Sequence, residues 1–192
     1  MKSTHHAFMF DPEKTFKSFG YGPNGRNNSF AYAAADNPGK AHDPLFIRGG
    51  GGLGKTHLLH AIGQHVTQSN PNAQVAYLSA EQFTSEFVAA IQNRQLARFR
   101  QKHLQTDVLL IDETEFLIGR ERLQEELFHT FRLLHEHHKQ IVLAGNVPPG
   151  EIEALEQRLV ARFEGGLVTG LQRAEVQRHL PIPKRKPQLL GV

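Results

Sequence analysis

At 192 residues the chain is long enough for one α/β domain with a real core and too short for two. It has no cysteine, which excludes a disulfide framework and a cysteine zinc site and points to an intracellular, cytoplasmic setting; no apolar run reaches the roughly 18 residues that cross a bilayer, so no membrane role is expected. The formal net charge of +3 is too modest to argue nucleic-acid binding from the total, so that question rests on where the arginines fall.

Residues 1–18 show no sustained hydrophobic period and are expected to be irregular, residues 19–171 form the core, and residues 172–192 read as an irregular, basic, proline-containing tail. Within the core, Leu45 to Ile47 is the first buried strand. It runs into Gly49 to Thr56, GGGGLGKT, which fits the phosphate-binding pattern GxxxxGK[ST]. Closely spaced glycines let backbone N–H groups face phosphate oxygens, a lysine adds charge at the β/γ-phosphates, and a threonine hydroxyl suits Mg²⁺. The expected nucleotide-binding set is therefore Gly50, Gly51, Gly52, Leu53, Gly54, Lys55, Thr56 and His57, with ATP or ADP and Mg²⁺ as ligands. The helix that begins at Lys55 aims its positive end at the same anion. Glycine-rich runs also occur as plain linkers, but here the motif stands between a strand and a helix, as the chemistry requires.

Val75 to Leu78 is the second strand, and Phe83, Phe87 and Ile91 set an apolar helical stripe after it. Arg94, Arg98, Arg100 and Lys102 follow, a run that on its own is more often a solvated face. Val108 to Ile111 is the third strand, ending in Asp112 and Glu113. A strand buried on both faces would carry Asp112 to the P-loop to hold Mg²⁺, with Glu113 orienting the attacking water; the plain alternative is an acidic strand end meeting solvent. Leu123, Leu127, Phe131 and Leu134 mark the next helix, Ile141 to Ala144 the fourth strand and Leu167 to Thr169 a short fifth. Asn146 closes the fourth strand, where its amide could reach both the γ-phosphate and the lytic water, although asparagine after a strand is often only a turn residue. Strands alternating with helices imply a parallel sheet covered on both faces, with ligands at the carboxyl ends of the strands. His135, His137 and His138 sit at a helix end with no completing acidic or cysteine set, so no metal is assigned to them.

The phrases NPGKAHDPLFIRGGGGLGKTHLLHAIG, VAYLSAEQFTSEFVAAI, DVLLIDETEFLIGRERLQEELFHTF and EALEQRLVARFEGGL resemble the central AAA+ ATPase domain of the bacterial replication initiator DnaA, from about Thr15 to Thr169. The helicase loader DnaC and the regulator Hda resemble these phrases less well. The resemblance implies a three-layer P-loop NTPase with a five-stranded parallel sheet. It implies that Asn146 is the first sensor and that Arg158 and Arg162 are the arginines of the family's seventh box, with Arg158, like Asp112, counted among the nucleotide-binding residues. Arg162 then falls on the arginine finger that reaches the ATP of a neighbouring subunit, which implies head-to-tail assembly with itself or with a full-length initiator. Read without the family, Arg158 and Arg162 are an i,i+4 pair on a solvated helix. The resemblance also implies that residues 81–103 form an extra helical pair beside single-stranded DNA, with Thr84, Arg120 and Arg122 at the positions that contact the strand; duplex origin binding would come through partners.

Departures from the family temper these expectations. Gly51 stands where a bulkier residue is usual, Glu113 replaces the family's Asp, and Asn146 replaces its Asp, the last two matching the wider AAA+ class. The segment FAYAAADNPGKAH is shorter than the family's first helix, which bears on an adenine pocket near Tyr21 and Gly22. The resemblance fades after Thr169, leaving no counterpart of the helical lid, so weak nucleotide affinity and slow or negligible ATP hydrolysis are expected. The alternative function is a non-hydrolysing P-loop module that regulates a full-length initiator or helicase loader.

Overall fold

The computed structural model describes residues 10–19 and 26–171, with the side chains of residues 26–28 excepted. Five strands form one sheet in the order β2-β3-β4-β1-β5, every pairing parallel. They are β1 (Leu45–Arg48), β2 (Val75–Ser79), β3 (Val108–Asp112), β4 (Gln140–Gly145) and β5 (Leu167–Gly170). β3 and β4 are buried along their whole length, while the edge strand β2 is mostly half-buried. Inner strands of a parallel sheet face helices on both sides, which is why their sequences are nearly continuous apolar runs.

Side-chain alternation sorts these strands into two cores. Leu45, Ile47, Val108, Leu110, Val142 and Ala144 pack on one face with α2 (Arg26–Asp36) and α3 (Lys55–Ser69). Phe46, Leu109, Ile111, Ile141 and Leu143 pack on the other with α4 (Ala80–Gln92), α5 (Leu96–Leu104), α6 (Glu121–Glu136) and α7 (Gln157–Glu164). Period-two alternation within a fully buried strand thus yields the three layers. On the first face Ala31, Ala34 and Ala35 are buried, and these small residues let α2 lie against α3. The short helix α1 (Phe16–Phe19) and the stretch before it, part of the segment expected to be irregular, also pack on α3. There the Asp11 and Lys14 carbonyls both accept from the Gln64 amide. Tyr21, Gly22 and the tail from residue 172 lie outside the described residues. Among the described residues, no helix is long and apolar enough to cross a membrane.

The insert between β2 and β3 is a helical pair. Ser79 caps α4 through a complete capping box with Gln82. α4 closes with Arg94 in the left-handed region (φ 55°), and the Gln95 N–H returns to the Ala90 carbonyl. Phe83 and Phe87 are buried as the stripe predicts, but Ile91 is 46% exposed. The stripe turns to Ala90, and Phe99 from α5 fills the seam, 5.3 Å from the Phe83 ring and 6.0 Å from that of Phe87. Two of the four basic residues of the insert have structural partners. Arg100 grips Glu126 of α6 with two bonds of 2.8 and 2.7 Å, and Lys102 holds Glu86 of α4. Arg94 and Arg98 are exposed.

His103 sits in the same seam, 1% exposed, with neither ring nitrogen hydrogen-bonded and its Nε2 3.9 Å from Glu86. Burial favours the neutral ring and holds its pKa down at about 4, against the opposing pull of Glu86 and Glu126 and with Lys102 adding to the depression. A folded-state pKa below the unfolded one means stability is complete above about pH 6.5 and falls as pH drops towards about 4. The His103 contribution to that loss should reach about 2 kcal/mol between pH 7 and pH 5. Urea unfolding of wild type and His103→Leu at the two pH values measures it, and the variant should lose markedly less stability on acidification.

Candidate functional site

Strand order assembles the site. β4 lies between β1 and β3, so the P-loop after β1, the acids after β3 and Asn146 after β4 converge at one edge of the sheet. The turn is fastened at its base, where the Gly49 N–H donates to the Gly145 carbonyl at 3.1 Å. Gly52 and Gly54 have φ of +75° and +91°, which ordinary residues rarely adopt. At Gly54 a Cβ would also lie 2.7 Å from the Phe19 ring. Gly50 and Gly51 face open space, room that a phosphate group would fill. Leu53 packs on the α3-side core, and His57 faces the N-terminal segment, its Nε2 3.2 Å from Ser18 Oγ and 3.0 Å from the Thr15 carbonyl.

Lys55 Nζ donates to the carbonyls of Gly49 (2.7 Å) and Gly50 (3.2 Å) and to Asn146 Oδ1 (2.9 Å). Thr56 Oγ1 donates to Asp112 Oδ2 at 2.6 Å, and the Tyr77 hydroxyl donates to the same oxygen at 3.2 Å. The other Asp112 oxygen accepts the Glu113 N–H at 2.9 Å. Burial, reinforced by the Asp112 carboxylate, pushes the Tyr77 hydroxyl well above its ordinary pKa, so it remains a donor. A hydroxyl and a carboxylate converging in this way are the hard oxygen donors that suit Mg²⁺.

Glu113 is exposed and takes a left-handed backbone (φ 57°, ψ 49°), uncommon for a residue with a side chain. Desolvation, then the charges of Asp112, Glu115 and Glu81, raise its carboxyl pKa above the usual range. The chain next forms a 3-10 turn, Thr114–Leu117, that brings Glu115 to Asn146, whose Nδ2 donates to Glu115 Oε1. Gly145 is needed beneath this turn, because a Cβ there would stand 2.4 Å from Thr114 Oγ1.

The remaining candidates lie on two other surfaces. Arg158 and Arg162 project from α7, whose Leu159, Val160 and Phe163 are buried. Arg158 pairs with Glu156 and lies 5.0 Å over the Phe128 ring; Arg162, one turn on, is half-buried and has no ion pair among the described residues. Thr84 and Arg120 meet, with Arg120 Nη1 3.2 Å from Thr84 Oγ1, and Arg122 is exposed on the first turn of α6. Val88 and Ile91, on the same helix as Thr84, are exposed as well. Of the sequence histidines, His135 pairs with Asp43 and His137 with the Leu133 carbonyl.

The sequence matches the bacterial DnaA ATPase domain over residues 10–170. The chain belongs to that family. Domain III of the replication initiation protein DnaA from Thermotoga maritima is 41% identical, with a TM-score of 0.81 over 85% of this chain and 69% of that one. DnaA from Aquifex aeolicus with AMPPCP bound is 35% identical, with a TM-score of 0.80 over 85% of this chain and 51% of that one. A replication initiator DnaA bound to AMPPCP and single-stranded DNA is also 35% identical, with a TM-score of 0.80 over 86% of this chain and 51% of its own. The DnaA-family domain thus spans about half the length of these last two proteins. A DnaC helicase loader, 14% identical at a TM-score of 0.66, shares the fold.

Glu115 and Tyr77 escape sequence reasoning, although both touch residues that it selects. Glu115 had a faint signal as the third acid of DETE, whereas Tyr77 had none, because its reach to Asp112 depends on strand pairing. Gly54→Ala should cost about 2 kcal/mol or more through the left-handed backbone and the Phe19 contact, while Gly51→Ala should stay within about 0.5 kcal/mol of wild type. Thermal or urea unfolding of the two variants checks the contrast.

Proposed function

We propose that this DnaA-family domain binds ATP and ADP with Mg²⁺ at the P-loop, assembles head to tail when ATP is bound, and contacts single-stranded DNA. The observation that carries the reading is the convergence of Lys55, Thr56, Asp112 and Asn146 from three adjacent strands. AMPPCP and single-stranded DNA on its DnaA relatives support the ligand classes. A cytoplasmic, DNA replication initiation role belongs to the same reading.

Each residue has a chemical task in it. The loop from Gly50 to Gly54 supplies N–H groups to the phosphates, and Lys55 exchanges its internal carbonyl and amide partners for phosphate oxygens. Thr56 and Asp112 hold Mg²⁺, whose charge neutralises the phosphates when bound. Glu113, whose carboxylate makes no hydrogen bond among the described residues and is raised in pKa, is suited to accept a proton from water. Asn146 stands at the position of the first sensor, beside the place of the terminal phosphate. Arg162 lacks an ion pair within the described chain and is available to the nucleotide of a neighbouring copy, with Arg158 bracing the same face. Thr84, Arg120 and Arg122 present one polar and two cationic groups to a phosphate backbone, beside the exposed Val88 and Ile91. The domain core is taken as residues 19–171, with the packed stretch 10–19 as its fastening to α3.

Sizing in the presence of Mg²⁺ with ATP or ADP tests the assembly. ATP should shift wild type to larger species, while wild type with ADP and Arg162→Ala with ATP stay unshifted; equal profiles for these three would contradict it. Fluorescence anisotropy with single-stranded oligonucleotides across a salt series tests the DNA surface. Loss of one phosphate contact in Arg122→Ala should lower the slope of log affinity against log salt by about 0.7. Slow turnover that disappears in Glu113→Gln would distinguish an ATPase from a non-hydrolysing module that only docks on a full-length initiator or helicase loader.

A further inference from the structure

Three facts about the sensor end of the site fit together. Lys55 has three ammonium protons, and all three are donated inside the protein, the third to Asn146 Oδ1. The Asn146 amide has an oxygen that accepts and a nitrogen that carries two N–H groups, and one of those N–H groups is held by Glu115 Oε1. An ammonium only donates and a carboxylate only accepts, so Lys55 and Glu115 together set which way the amide points, and Glu115 alone holds it once Lys55 turns to a phosphate. The second Glu115 oxygen is buried without a hydrogen-bond partner, so the carboxylate has no other strong claim on its orientation.

The consequence concerns the third phosphate. With Nδ2 turned to Glu115, the sensor faces its oxygen towards the P-loop lysine, an arrangement suited to holding a cation and poorly suited to greeting another anion on that side. To put an N–H where its oxygen now faces Lys55, and so donate to a terminal phosphate oxygen arriving there, Asn146 must flip and release Glu115, leaving a partly buried carboxylate with both oxygens bare. ADP, which ends at the β-phosphate, makes no such demand. Glu115 also adds its negative charge to those of Asp112 and Glu113, and that charge is already felt at the Glu113 carboxyl.

We propose that Glu115 is a positioning and specificity-determining residue that fixes the polarity of the Asn146 amide and thereby suppresses selectivity for a nucleoside triphosphate over the diphosphate. It rests on the nucleotide reading of the P-loop and deepens it. Replacing the carboxylate by an isosteric amide removes the charge and provides a group that can donate or accept, so Asn146 is free to turn its N–H to the terminal phosphate.

Calorimetry with Mg²⁺ and either AMPPCP or ADP reads the effect without turnover. Wild type should bind the two with affinities within about threefold of each other, and Glu115→Gln should tighten AMPPCP about tenfold while moving ADP less than twofold, the scale of one charge-assisted contact. In the double variant Glu115→Gln with Asn146→Asp, position 146 again offers only acceptors, and the AMPPCP preference should vanish. A ratio unchanged in Glu115→Gln, or both ligands shifted by one common factor, would overturn the proposal while leaving the P-loop reading intact. No binding of either nucleotide by wild type would overturn both.

Discussion

The Lys55 ammonium donates all three of its protons within the protein, and the site depends on where those three acceptors come from. Two are carbonyls of its own loop, which keep the turn curled over the start of α3. The third is Asn146, at the end of a neighbouring strand, so a single cation ties β1 to β4. Thr56, the next residue, ties the same turn to β3 through Asp112. The strand order β3-β4-β1 is what makes both ties short. In another order the same motifs would be far apart and the acids would face solvent, as their plainest sequence reading allowed.

The N-terminal segment adds a second constraint on that turn. Phe19 occupies the space beside Gly54, the Phe19 ring meets His57 edge-on, and the Thr15 carbonyl and Ser18 reach the His57 ring. Phe10 fills the equivalent space at Gly63, further along the same helix. Two glycines on α3 and its cap therefore serve as seats for two phenylalanines of a segment whose own sequence carries no period. The P-loop is braced from the sheet on one side and from this segment on the other.

Legibility followed contact range. The strands, the P-loop and the Asp112–Glu113 end could be read because inner parallel strands impose long apolar runs, and the phosphate motif imposes its own spacing. Residues 10–18 were not read as packed, because their anchoring is to α3, some forty residues and more away in the chain by the Asp11–His60 and Thr15–His57 contacts. The basic run of the insert looked uniform, yet Arg100 and Lys102 are bound to Glu126 and Glu86 while Arg94 and Arg98 are exposed. Only tertiary pairing separates those two kinds of residue. Ile91 fits the helical period but lies past the point where Phe99 closes the seam. Glu115 was passed over because a 3-10 turn, not a strand or helix, carries it to Asn146.

Family membership and geometry meet at one claim, that the oxygens now gathered around Lys55 and Thr56 hold the place of nucleotide phosphates and their magnesium. Calorimetric titration of wild type and Lys55→Ala with Mg²⁺-ATP tests it most directly. Saturable, Mg²⁺-dependent binding by wild type that is lost in Lys55→Ala, with the variant still folded and unfolding in one cooperative step, is the predicted result. Identical titrations for the two proteins, with or without heat, would contradict it.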